Sequence, residues 1–168
     1  GQDRAEAEIR VDEKEKAFSL ELWAQHPDIY NIGIESPAGE RIDRVIPAGG
    51  KSQTIRLIFD QTEIFVYNQQ VESQSGQQVI FLRFRAPTAG IWKVYIYAAA
   101  AVNRRFHIWL PMQQFISEGT YFLRSDPDVT LSDAACADDG ISVGAFNNVN
   151  NSLYAASGRG FTVDSRIK

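Results

Sequence analysis

The sequence predicts a mainly β protein: an antiparallel jelly-roll β-sandwich followed by a shorter segment of different texture. Three observations lead there. From Phe18 to Leu110 apolar residues recur with period two, proline and glycine clusters interrupt the runs, and no stretch of that region carries the 3.6-residue period of an amphipathic helix. Phe18, Leu20 and Leu22 alternate with Ser19 and Glu21, and Tyr30, Ile32 and Ile34 alternate with Asn31 and Gly33. Ile55, Leu57 and Phe59 continue the pattern, as do Ile80, Leu82 and Phe84. In a strand, successive side chains point to opposite faces, so each set is expected to turn inward together. Ser36-Pro37-Ala38-Gly39, Pro47-Ala48-Gly49-Gly50, Ser73-Gln74-Ser75-Gly76 and Pro87-Thr88-Ala89-Gly90 read as corners, because proline presets one turn dihedral and glycine takes positive φ. About eight short strands without an internal repeat fit a two-sheet sandwich.

After Pro111 the pattern changes. Ser132 caps a short run, Asp133-Ala134-Ala135-Cys136-Ala137, that ends at Asp138-Asp139-Gly140 and predicts one short helix. Ile141 to Phe146 is a compact apolar run of the kind that fills a strand buried on both faces. Such a strand needs neighbours on both sides, and the remaining residues cannot supply them. The tail therefore reads as part of a larger sheet, and the leading glycine and the end at Arg166-Ile167-Lys168 read as an excised piece of a longer chain.

The 168 residues suffice to bury roughly two-thirds of the unfolded surface. With 17 basic and 21 acidic residues and a net charge of −4, the chain carries no basic footprint for nucleic acid and no attraction to an anionic membrane. The longest apolar stretch, Ile91 to Val102, contains Lys93 and is too short to span a bilayer. A single cysteine, Cys136, excludes an internal disulfide and a cysteine-rich metal site, so packing alone must hold the fold; it leaves the compartment open.

Few residues invite chemistry. His26 precedes Pro27-Asp28 and reads as solvated or packed on Trp23; His107 alternates with Phe106 and Ile108 and so points to the opposite face, a structural role. Asp126, Asp128, Asp133, Asp138 and Asp139 lack the glycine and closing glutamate of a calcium loop, and capping and turn formation account for three of them; no metal or cofactor is expected. Arg104-Arg105 reads as a solvated strand end. Trp92 shares a face with Val94 and Ile96 and belongs in the core, whereas Trp23 and Trp109 fall out of phase with their apolar neighbours. Exposed indoles suit sugar stacking or protein docking. Ser157-Gly158-Arg159-Gly160 lacks the lysine and hydroxyl residue of a phosphate loop.

The order of four pieces is more specific than any of them. Asp126-Pro127-Asp128-Val129-Thr130-Leu131 precedes Ile141-Ser142-Val143-Gly144-Ala145-Phe146-Asn147, then Ser157-Gly158-Arg159-Gly160, then Arg166-Ile167-Lys168. This run resembles the stretch of subtilisin-like serine proteases in which an Ile-x-Val-Gly-Ala strand leads to a Ser-x-Arg-Gly turn and a lysine before Pro-Asp. Pro87 to Trp92 and Phe106 to Pro111, with Leu22-Trp23 and Ser36 to Gly39, resemble the jelly-roll insertion of bacterial Csp-type subtilases. The resemblance implies a jelly-roll insertion over 1–113 and a partial catalytic-domain segment over 114–168, with Val143, Gly144, Ala145, Ser157, Gly158, Arg159, Gly160 and Lys168 as family-motif residues of structural role. It also implies a parent that hydrolyses peptides through a Ser-His-Asp triad, with the rest of its own chain as partner. No catalytic residue is carried over. Asp138-Asp139-Gly140 lacks the hydroxyl residue of the aspartate motif, neither histidine is followed by glycine, Gly119-Thr120 is followed by Tyr121, and Asn103 sits in the sandwich pattern. The fragment is thus expected to be inactive, with a glycan- or protein-binding module of a pseudoprotease as the alternative. Separated from a flanking sheet, 141–168 is expected to be mobile, to fold back, or to pair between copies as a dimer.

Overall fold

The computed structural model describes all residues except 1–3, 46–50, 132, 138, 140, 156, 164–165 and 167–168. It forms two compact units, Gly1–Arg124 and Ser125–Lys168.

The first unit is an antiparallel β-sandwich. One sheet contains β1 (Arg4–Val11), β3 (Ile29–Glu35), β4 (Arg41–Val45), β8 (Gly90–Ala100) and the short β10 (Tyr121–Phe122), in the order β10-β1-β8-β3-β4. The other contains β2 (Ala17–Ala24), β5 (Ser52–Arg56), β6 (Glu63–Gln69), β7 (Gln78–Arg85) and β9 (Phe106–Trp109), in the order β5-β6-β7-β2-β9. The pair β1–β8 lies in one sheet and the nested pair β2–β7 in the other, so the chain wraps across the sandwich from both sides, while β3–β4 and β5–β6–β7 are hairpins. Residues 114–124 join this unit through a 3₁₀ turn at Gln113–Phe115 and through β10, whose Phe122 faces Ile9 of β1.

The inward residues are those the alternation predicts on β2, β3, β7 and β8. Phe18, Leu20, Leu22, Ile32, Ile34, Ile80, Leu82, Phe84, Trp92, Val94 and Ile96 are all buried. Phe84 stacks on Phe18 with ring centroids 4.5 Å apart and meets Trp92 edge-on at 5.2 Å, and the Trp92 indole N–H donates to the Thr88 carbonyl at 2.8 Å. One buried polar side chain bridges the two sheets. Gln78 of β7 accepts from the Tyr30 amide at 2.7 Å and donates to the Tyr30 carbonyl at 2.8 Å, so its side chain stands in for a peptide group.

One alternation fails. Ile55, Leu57 and Phe59 read as a single inward-facing set, yet β5 stops at Arg56, Leu57 is buried and Phe59 is exposed. The Leu57 amide donates to the Thr62 carbonyl at 2.9 Å, and Gln61 is left-handed at φ 51°, so the chain turns before a further inward position is reached.

In the second unit the helix is one turn, α1 (Asp133–Cys136), and a hairpin joins β11 (Phe146–Asn147) to β12 (Ser152–Leu153). Ile141 to Ala145 is not a strand: Ile141 is 95% and Val143 88% exposed. A doubly buried strand needs flanking strands for its N–H and C=O groups, and β12 pairs only with Phe146 and Asn147.

Replacing Phe84 by alanine removes the ring that both Phe18 and Trp92 contact. Urea unfolding of Phe84→Ala is expected to show a loss of about 3–5 kcal/mol; a loss below about 1 kcal/mol would place the core elsewhere.

Candidate functional site

The residues that the sequence resemblance singled out are brought together in part. The Ser157 hydroxyl accepts the Ala145 amide at 3.1 Å, and Gly144 is close enough that a Cβ there would lie 3.6 Å from the Ser157 oxygen. The second junction joins Arg159 to Thr130: the Thr130 amide donates to the Arg159 carbonyl at 2.9 Å, and the Arg159 amide donates to the Thr130 hydroxyl at 3.0 Å. Gly160 sits at φ 90°, and a Cβ there would meet the Val129 nitrogen at 2.7 Å. Three of the four sequence pieces, around Thr130, Ala145 and Ser157–Gly160, therefore form one local knot. Val143 points to solvent, and Lys168 lies outside the described residues.

Backbone hydrogen bonds hold this knot. Ser157 has its hydroxyl on the Ala145 amide and 3.4 Å from the Gly158 carbonyl; both histidines belong to the first unit. Asp126 accepts the Asp128 amide at 2.9 Å in a local turn, and among the described residues no three His, Cys, Asp or Glu side chains converge as metal ligands. Asp138 lies outside the described residues. Thr120 is buried and its hydroxyl accepts the Asp12 amide at 3.1 Å, a structural use of the Gly119-Thr120 pair.

The sandwich bears two organised outer faces. On the β9 side of one sheet, Trp23 opposes His107, Glu21 opposes Trp109 and also Phe81, and Phe81 opposes Tyr67, which places aromatics in a row across four strands. His107 stacks on Trp109 at 6.0 Å, Phe65 meets Phe81 edge-on at 6.4 Å, and the Trp23 indole donates to Glu21 at 2.9 Å. All six aromatics are half-buried. His107 thus occupies the face opposite Phe106 and Ile108, while His26 is exposed beside Pro27.

The other sheet carries an arginine–tyrosine cluster that sequence reading missed. Arg4 and Arg41 lie 4.6 and 4.8 Å from the Tyr95 ring centre, Arg44 lies 4.9 Å from that of Tyr97, and Arg41 donates to the Tyr97 hydroxyl at 3.2 Å. Tyr95 donates to Glu35 at 2.7 Å; burial first, then that carboxylate, push its hydroxyl up to about 12. These residues come from four strands, so only the register brings them together.

Asp28 anchors the β8–β9 connection. Burial alone would raise its carboxyl, but amides of Val102, Asn103 and Arg105 at 2.6, 3.0 and 3.3 Å, aided by Arg104, outweigh burial and hold it below the ordinary carboxylate value. Arg104 and Arg105 are exposed there, and Asn103 spends its amide on Asp28. Tyr30 donates to Asp28 at 3.4 Å, and its hydroxyl is pushed up to about 12 by burial and by that carboxylate.

Among the described residues no helix is long and apolar enough to cross a membrane. No protein-family model and no curated protein matches the chain. A solved structure does: the CspB protease of Clostridium perfringens, at a TM-score of 0.82 and 24% identity, over 99% of this chain and 35% of that one. The likeness establishes the fold across both compact units, and the chain spans about a third of that protein's length.

Because the Asp28 carboxyl is held below its unfolded value, its contribution to stability is present above the ordinary carboxylate range and is lost as pH falls through it. Asp28→Asn cannot ionise. The stability gap between wild type and Asp28→Asn, read as denaturant midpoints, should be widest near about pH 7 and narrow towards about pH 3; a constant gap would remove Asp28 from that role.

Proposed function

We propose that the chain is a non-catalytic part of a subtilisin-like serine endopeptidase of the Csp type. The sandwich, about 1–113 with its extension to Arg124, serves as a rigid scaffold domain beside the active-site domain, and the following residues belong to the catalytic domain. The observation that carries this reading is the likeness to a protease structure over 99% of this chain but only 35% of the other. Two further observations support it: the knot joining Thr130, Ala145 and Ser157–Gly160 uses the residues of the subtilase-like run, and Ile141 and Val143 stand in solvent as residues do when their flanking strands lie elsewhere. In this reading the parent supplies the triad and the oxyanion donor, and its substrates are peptides. The exposed 141–146 segment is the part that would pair with the rest of the catalytic sheet or, in isolation, between copies.

A second reading, a carbohydrate- or protein-binding module, is favoured by the aromatic row around Trp23, His107 and Trp109.

Two measurements separate the readings. The purified 168-residue chain is expected to show no peptidase activity and no fluorophosphonate labelling; labelling of one serine, abolished by its change to alanine, would overturn the non-catalytic assignment. Oligosaccharide titration followed by tryptophan fluorescence is expected to show no saturable change. A saturable isotherm lost in Trp109→Ala would put the binding module first.

A further inference from the structure

The turn between β5 and β6 is held rigidly and presents two large apolar side chains to water. Leu57 is buried, its amide donates to Thr62 at 2.9 Å, and the Asp60 carbonyl accepts the Thr62 and Thr88 hydroxyls at 3.3 and 3.0 Å. From the opposite sheet Glu40 reaches across and accepts the next two amides, Ile58 on Oε1 and Phe59 on Oε2, each at 2.9 Å. Glu40 is itself fixed in the β3–β4 turn, where its amide donates to the Ser36 hydroxyl at 3.1 Å and its carbonyl accepts the Ser36 amide at 2.9 Å. The backbone is therefore clamped from both sheets, while Ile58 is 78% and Phe59 79% exposed.

We propose that Ile58 and Phe59 form a preorganised anchor that inserts into an apolar pocket on the part of the longer polypeptide lying outside residues 1–168. This rests on the reading that the chain is a piece of a larger protease. Loop tips are ordinarily small and polar, and a rigid apolar pair forgoes burial unless a partner supplies it. Rigidity lowers the ordering entropy that docking costs, which suits a short hot spot centred on an aromatic ring. The occupant follows from length, since the related structure has most of its chain outside the region matched here. Tethering raises the effective concentration of that partner, so a two-residue contact is enough. The surroundings do not suit an anionic lipid surface: a carboxylate, Glu40, sits at the base of the tip, and Arg56 is paired with Glu63 at 3.2 Å.

The test uses the full-length chain with Cys136→Ser, carrying either Phe59→Cys or, as an exposed reference, Ser73→Cys, and reads the rate of maleimide labelling. The thiol at 59 is expected to react at least about tenfold more slowly than the thiol at 73, and Glu40→Gln, which weakens one of the two clamps, should raise the rate at 59. Equal rates at 59 and 73 overturn the anchor. So does co-sedimentation of the full-length chain with phosphatidylcholine–phosphatidylglycerol vesicles that is lost in Phe59→Ser, which would assign the tip to a lipid surface. Fluorophosphonate labelling of the same full-length protein separates this from the underlying reading. Labelling with a reactive thiol at 59 sinks the anchor alone; protection without any labelling keeps the anchor and sinks the protease.

Discussion

Phe84 stacks on Phe18 within its own sheet and meets Trp92 from the facing one, and the sandwich is organised around this desolvated seam. With a single cysteine, no disulfide limits the unfolded chain, so burial of the two inner faces must offset the conformational entropy of ten strands and their corners. The seam also sets which residues remain outside. Because side chains alternate, committing Leu20 and Leu22 inward places Glu21 and Trp23 outward, and committing Phe106 and Ile108 inward does the same for His107 and Trp109. The aromatic outer row is a consequence of core register.

Polar groups adapt to that constraint instead of opposing it. Gln78 supplies a peptide-like pair to Tyr30 where one sheet faces the other, and Asp28 collects the amides that the β8–β9 connection leaves without ladder partners. Glu40 does the same for the β5–β6 turn. In the last two cases one side chain replaces the missing strand for a segment that joins neither sheet. The Asp28 and Glu40 contacts fix two connections at which a sandwich is otherwise free to vary.

The second unit follows a different rule. Its polar knot is satisfied locally, whereas Ile141, Val143 and Val149 are left in solvent. Local hydrogen bonds are enough to define a turn, but a buried strand requires neighbours on both edges, and that difference separates Ser157–Gly160, which takes a defined shape, from Ile141–Ala145, which does not become a strand.

The strand periods, the inward sets on β2, β3, β7 and β8, the burial of Trp92 and the face of His107 were all legible in the sequence, because a pleated strand encodes its own two faces. The pieces around Thr130, Ala145 and Ser157–Gly160 could each be picked out as well, because each is short and contiguous. Phe59 was misread, since alternation says nothing about where a strand stops; the turn closed by the Leu57–Thr62 hydrogen bond and the Glu40 carboxylate from a distant turn end it. The arginine–tyrosine cluster was invisible for a related reason, as Arg4, Arg41, Arg44, Tyr95 and Tyr97 meet only through the pairing of β1, β8, β3 and β4. Periodicity is a property of one strand and can be read from it. Register between strands distant in the chain is decided by packing of the whole sandwich, and only the tertiary structure contains it.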